Sequence, residues 1–399
     1  MISSEKFMPE PEKSSPMTET DPLLATTLAT ILAQTATGTE LVAYRGALTP
    51  RELDAAERET AALISGAAAH DLGWLRRVAV RGEDRFRWLS GMVTNTVNEL
   101  GTNAGAWNLV LNAQGRIQGD LHVWRDGENL ELEIAAGQYD RLLAHLERFI
   151  IMDDVELAPQ SEESALGLAG PLAAGVLERQ GLPALAEPMS SARATWKGKQ
   201  VKVIRGYGAL VPHYELWVQA AEIPGLWKAL KEAGASPAGA ATLEAFRIAE
   251  GIPAYGIDIA ERDLPQEVVQ IATSQVALSF NKGCYLGQEI VERIRSRGSV
   301  HRHLRQLELS GPLPAAGTEL TMEGGEVAGA ITSAAELLLE SGPRVFALGM
   351  MRSEAERGNQ TFTYQAGTVM GTAGILTAPP ALGELIIQNN EKEREKHER

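Results

Sequence analysis

Apolar residues recur along this chain with two periods, and the switches between them lay out its elements. Leu24, Leu28 and Ile31 have the spacing of a short docking helix. Thr49, Pro50 and Glu52 stand as N-cap, N1 and N3 of a capping box, predicting a helix from there to about Ala69. Val78 and Val80 alternate with polar neighbours, as in a strand, and residues 82–89 read as a helix closing at Gly91. Trp107–Leu111 and Ile117–Trp124 read as strands joined by residues 112–116, where Asn112 and Gly115 supply hairpin chemistry. Leu130–Ile134 is a third strand, and Tyr139, Leu142, Leu143, Leu146 and Ile150 mark one face of a helix. Strands at Leu166–Ala169, Val201–Ile204 and Tyr214–Val218 then alternate with helices at Ala173–Gln180, Ile223–Ala233 and Ala241–Glu250.

After His303 the texture changes. Short apolar runs at Leu304–Leu309, Val327–Thr332, Val345–Met350 and Thr368–Leu376 are separated by glycine or proline, with one helical stretch at Ala334–Leu339. The pattern as a whole is α+β, with split β-α-β units followed by a C-terminal β-barrel. Residues 1–40 are expected to form a weakly ordered extension, 41–300 two interleaved α+β domains, 301–386 the barrel and 387–399 a charged tail.

Composition narrows the function classes. A chain of 399 residues implies roughly two or three domains. Its net charge of −15 offers no broad basic face, so direct nucleic-acid binding is not expected. The start lacks the pattern of a signal peptide, and residues 22–39 are too polar to span a membrane. A single cysteine makes no internal disulfide and suits a reducing cytoplasm. It also cannot furnish a four-cysteine site, so a bound cluster would receive at most one thiolate per chain. Of the seven histidines only His301 and His303 are close, which makes no metal site, and no P-loop or nucleophile-elbow motif is present.

The lone cysteine lies in Lys282-Gly283-Cys284-Tyr285-Leu286-Gly287-Gln288-Glu289. Residues 288–296 read as a helix with Ile290, Val291 and Ile294 on one face, which puts Cys284 just ahead of its N-terminus. That place, with the Lys282 ammonium nearby, favours a thiolate. Spacing alone also admits a small buried apolar cysteine. Glu289 reads either as a functional acid or as a first-turn helix acid.

The eight-residue run resembles the signature of the YgfZ family, folate-binding relatives of the glycine cleavage T-protein linked to iron–sulfur cluster assembly and repair. Further segments fit that superfamily in order: residues 82–96, Thr242–Ile248, Glu250–Pro253, Gly256–Ile259 and Leu264–Glu267, with Arg293, Arg297 and Arg302 after the run. The resemblance implies a three-domain T-protein-like fold around a site for tetrahydrofolate or a one-carbon derivative. Carried onto this chain, that site takes in Glu215, Asn112, Arg247, Tyr285, Gln288 and Arg297, with Cys284 and Lys282 as the reactive pair. A carboxylate such as Glu215 can accept two N–H bonds from an aminopterin edge. The implied partners are folate and iron–sulfur client or assembly proteins.

One departure bears on activity. T-proteins carry two adjacent aspartates after the hairpin, the first credited with assisting aminomethyl transfer. Here Gly119 takes the first position and Asp120 the second. Strand alternation points Asp120 to the opposite face, as a structural hydrogen-bonding residue. Whether the chain is an enzyme is therefore left open, the alternatives being a tetrahydrofolate-dependent aminomethyltransferase and an inert scaffold.

Overall fold

The computed structural model describes residues 23–35, 38–269, 277–356, 360–380 and 382. The chain opens with α1 (Thr27–Thr35), the hairpin β1 (Leu41–Tyr44) and β2 (Ala47–Pro50), α2 (Ala56–Ser65) and β3 (Ala68–Asp71). A first unit comes next: β4 (Leu75–Arg81), α3 (Arg85–Met92), β5 (Gly105–Leu111), β6 (Ile117–Asp126), β7 (Asn129–Ala135), α4 (Ala136–Glu147) and β8 (Glu156–Pro159). A second unit repeats that order: β9 (Glu163–Ala169), α5 (Ala173–Arg179), β10 (Ser190–Trp196), β11 (Lys199–Arg205), β12 (His213–Gln219), α6 (Ile223–Glu232) and β13 (Ser236–Ala238). Then come α7 (Ala240–Ala249), α8 (Pro265–Val268) and α9 (Gln288–Arg297). Last are β14 (Arg302–Ser310), β15 (Glu319–Thr321), β16 (Val327–Leu339), β17 (Gly342–Arg352), β18 (Thr361–Ala366) and β19 (Val369–Ile375).

The two units fold alike. Their sheets run β5-β6-β7-β4-β8 and β10-β11-β12-β9-β3-β13, so in each the strand that opens the unit lies beside the third strand of its meander. This is the split β-α-β arrangement expected from the alternating pattern, and β3 is the one insertion that distinguishes the second sheet. Strand alternation explains the packing. Val78, Val80, Leu130, Leu132 and Ile134 turn one face of the first sheet toward α3 and α4. Leu166, Leu168, Leu216 and Val218 do the same toward α5 and α6. The opposite faces of the two sheets meet through Trp124, Ala165, Ile204 and Trp217. The last six strands close into the expected barrel.

Three sequence expectations need correction. Thr49 does not cap a helix; it lies in β2, buried, and its hydroxyl donates to Asp71 at 2.9 Å. Helix α2 starts at Ala56, and the amides of Leu53 and Asp54 before it are held by Glu59. Ala334–Leu339 is no helix but the second half of β16, paired with β17, because cross-strand partners outweigh local helix preference. Nor is the whole of residues 1–40 loose: α1 docks on the second unit, with Leu28 in its core. Residues 1–22 and the charged tail lie outside the described residues. Among the described residues no helix is long and apolar enough to cross a membrane.

Candidate functional site

The inner faces of the two sheets do not close completely. Between them lies a cavity of about 220 Å³, bounded by β3, β6, β7 and β12, by the β1–β2 turn and by α7. Glu215 stands in its wall for a local reason. On β12, Tyr214, Leu216 and Val218 point into the helix-covered core, which turns Glu215 and Trp217 inward to the other sheet. The indole Nε1 of Trp217 donates to Glu215 Oε2 at 2.8 Å. Glu133 on β7 arrives by the same alternation, opposite Leu132 and Ile134.

The two carboxyls form one proton-sharing unit. Burial, then the neighbouring Glu133 charge and hydrogen bond, push Glu215 well above the usual carboxylate range. Burial works against charge on Glu133 as well. The hydrogen bond with His122, whose Nδ1 lies 3.4 Å from Oε1, and the charge of Arg77 outweigh it, so Glu133 lies below its ordinary value. The shared proton therefore rests on Glu215. Among the described residues Glu133 Oε2 is buried with no hydrogen-bond partner, the fit expected of an oxygen that faces the Glu215 proton or a ligand N–H. His70 lies beside them over Gly167, where an added Cβ would come within 1.9 Å of the imidazole ring. Burial, then His213, lowers His70 to about 3, so it is neutral.

Asp120 also lines this cavity. Its Oδ2 accepts from Trp107 Nε1 at 3.1 Å and its Oδ1 from Gln138 Nε2 at 2.7 Å. The register explains why alternation misplaced it. Leu111 pairs with Ile117 but Val110 with Gly119, so Gln118 is an extra residue in a bulge, and every later residue of β6 changes face. A side chain at Gly119 would run into Gln138 and Leu142 on α4, at 2.7 and 2.9 Å. The carboxylate thus belongs to Asp120 in this strand, and it looks into the cavity.

Arg247 lines the cavity but has no donor left for a ligand. Its guanidinium binds Glu244, the carbonyl of Ile252, Asp258 at 2.8 Å and Ser333 at 3.4 Å. It is a clamp between α7 and the barrel. Asn112 serves the β5–β6 turn, its Oδ1 accepting from the amides of Gln114 and Arg116 at 3.0 Å each. Tyr285 packs with Trp107, Leu109 and Leu111; burial pushes its phenol up to about 12, and among the described residues its hydroxyl has no hydrogen-bond partner. Gln288 accepts from the Tyr285 amide at 3.3 Å, and Arg297 is exposed at the end of α9. None of these last four lines the cavity.

The cysteine run forms a separate place. Cys284 is exposed and is not part of the cavity wall. Lys282 is buried, and its Nζ donates to the carbonyls of Ser90, Val93 and Asn95 at 2.8, 2.6 and 2.8 Å. Its three protons tie the run to the end of α3, rather than serving the thiol. Burial lowers this ammonium to about 8. Gly287 has φ +82° and a Cβ there would meet Asn112 O at 2.6 Å, so only glycine fits; Gly283 faces open space. Of the basic cluster, Arg302 is engaged by Asp263 and Glu267 at 2.7 and 2.9 Å. Among the described residues no group of three or more His, Cys, Asp or Glu is arranged to hold a metal ion.

The comparisons with known proteins agree with this architecture. Residues 33–272 match the GCVT N-terminal domain. An aminomethyltransferase of Rubrobacter xylanophilus is 30% identical over 303 residues, covering 75% of this chain and 80% of the relative. The tRNA-modifying protein YgfZ of Cronobacter sakazakii is 28% identical over 288 residues, 70% of this chain and 83% of its own. The crystal structure of the glycine cleavage aminomethyltransferase T from Bartonella henselae superposes with a TM-score of 0.79 at 20% identity, over 90% of this chain and 98% of that one. The chain belongs to the family defined by the GCVT N-terminal domain, and its fold is that of the glycine cleavage aminomethyltransferase T.

Proposed function

We propose that this protein binds tetrahydrofolate or a one-carbon derivative in the cavity between its two sheets, and that it supports iron–sulfur cluster assembly or repair through Cys284. The observation that carries the first half is the Glu215 carboxyl, set in the cavity wall beside Glu133. An aminopterin edge offers adjacent N–H donors; bonding to them favours the charged form, so Glu215, held by Trp217, gives up its proton to solvent on binding and presents the matching acceptors. The second half rests on the Lys282–Glu289 run and its exposed thiol. Folate and iron–sulfur clients are then its partners, and the cytoplasm its place.

Asp120 favours a second reading, tetrahydrofolate-dependent aminomethyl transfer. A carboxylate in the cavity can hold or move a proton at the reacting amine, and the bulge restores it there despite Gly119. The inert scaffold has no such observation behind it.

Calorimetric titration with tetrahydrofolate tests the site. Glu215→Gln should weaken binding about ten- to a hundredfold, the value of a charge-assisted acceptor; unchanged affinity in a folded variant removes Glu215 from the site. Cys284→Ala should keep that affinity and fail to restore iron–sulfur enzyme activity in a strain lacking this protein. Ammonia release from an aminomethylated lipoyl carrier, abolished by Asp120→Asn, would establish the second reading instead.

A further inference from the structure

The charged residues around the cavity are unequally matched. Asp120, Glu133, Glu215 and Glu250 supply acids. Two arginines line it, and the donors of Arg247 are all engaged. Arg45 is the other. Among the described residues its guanidinium has no carboxylate and no hydrogen-bond partner, only the indole of Trp74, with Cζ 5.3 Å from the ring centroid. Trp74 is itself fixed edge-on against Tyr44 at 5.5 Å between centroids.

The backbone holds Arg45 there at a conformational cost. Tyr44 pairs with Ala47, so Arg45 and Gly46 form a two-residue hairpin turn, with φ of +52° and +94°. Such turns favour asparagine, aspartate or glycine at the first position, and arginine is out of place. The turn is also pinned: Gly137 N donates to Arg45 O at 2.8 Å, and a Cβ on Gly46 would fall 2.0 Å from Gly137 N. A pinned, left-handed turn therefore presents a partly exposed guanidinium, over an aromatic ring and unpaired among the described residues, to a cavity lined by acids.

We propose that Arg45 is a specificity-determining residue that receives an anionic tail of the ligand, the carboxylates of a folate glutamate chain, while the N–H-bearing end of the same ligand meets Glu215. The proposal rests on the folate reading above and adds a pole to it. A guanidinium over a ring and without a carboxylate partner keeps N–H donors free for bidentate carboxylate binding. Arg293 and Arg297, in the stretch after the cysteine run, do not line the cavity.

The test compares three probes by calorimetry: tetrahydrofolate monoglutamate, its triglutamate, and 6-methyltetrahydropterin, which has no tail. The variant is Arg45→Asn, because asparagine suits the turn; it should be at least as heat-stable as the native chain. It should weaken the monoglutamate about five- to tenfold, the scale of a partly exposed ion pair with favourable geometry. It should also reduce any preference for the triglutamate and the salt dependence of both, and leave the tail-less pterin unchanged. Arg45→Lys should recover part of the loss. Equal loss for tailed and tail-less probes, or no loss for either, overturns the proposal while leaving the folate site standing. Failure of the native protein to bind any of the three removes the folate reading, and this proposal with it.

Discussion

His70 is neutral beneath the cavity because its ring is buried against Gly167 and close to His213. The consequence for stability has a definite sign. Its folded value of about 3 lies below the ordinary 6.5, so between them the unfolded chain binds a proton that the folded chain does not. Stability from this residue is complete above about 6.5 and is lost as pH falls, by at most ~1.4 kcal/mol per pH unit. Glu215 acts in the other sense, since its raised value keeps the folded state protonated where the unfolded chain has already released its proton. Urea unfolding of the native protein and of His70→Asn across pH 4.5–7 separates the two. The native protein should lose stability in acid more steeply than the variant; parallel slopes would contradict a neutral buried His70. Such a residue is hard to read from sequence: a single histidine after three alanines shows no sign of the glycine that will lie over it.

At the scale of elements, the run Lys282–Gln288 divides into a support and a tip. Lys282 anchors the carbonyls at the end of α3, Gly287 makes the left-handed turn into α9, and Cys284 is left exposed. Lys282→Met removes three charge-assisted bonds and strands their acceptors, with an expected cost of about 3 kcal/mol. Cys284→Ala, at an exposed position, should stay within about 0.5 kcal/mol of the native chain. Chemical denaturation of the two variants checks the contrast, and equal losses would mean that the thiol is structural. The motif was visible in sequence, but the division of labour was not. Lys282 lies two residues from Cys284 along the chain, yet its partners come from residues 90–95, close to it only in space. The bulge at Gln118 is of the same kind: residues 117–120 alternate acceptably as a plain strand, and only pairing with β5 reveals the extra residue.

At the scale of the molecule, Arg247 joins α7, the Asp258 loop and Ser333 of the barrel in one buried network. Arg247→Met leaves Asp258 buried without its main counter-charge, and should cost about 3–5 kcal/mol. Loss of cooperativity between barrel and body in calorimetric unfolding is the accompanying sign; an unchanged transition temperature would refute the clamp. Sequence by itself determined much of the local order: the alternation of strands and helices through the two units, apart from the start of α2, and where the barrel begins. These arise from the periods of 2 and 3.6, which each segment carries within itself. Only the tertiary structure decided what the inward faces meet. It paired Glu215 with Glu133, turned Asp120 into the cavity, closed Arg247 into a clamp and presented Arg45 from a hairpin turn. Those outcomes depend on contacts between residues far apart in sequence, and on how two similarly folded sheets stack, which no local pattern of hydrophobic and polar residues records.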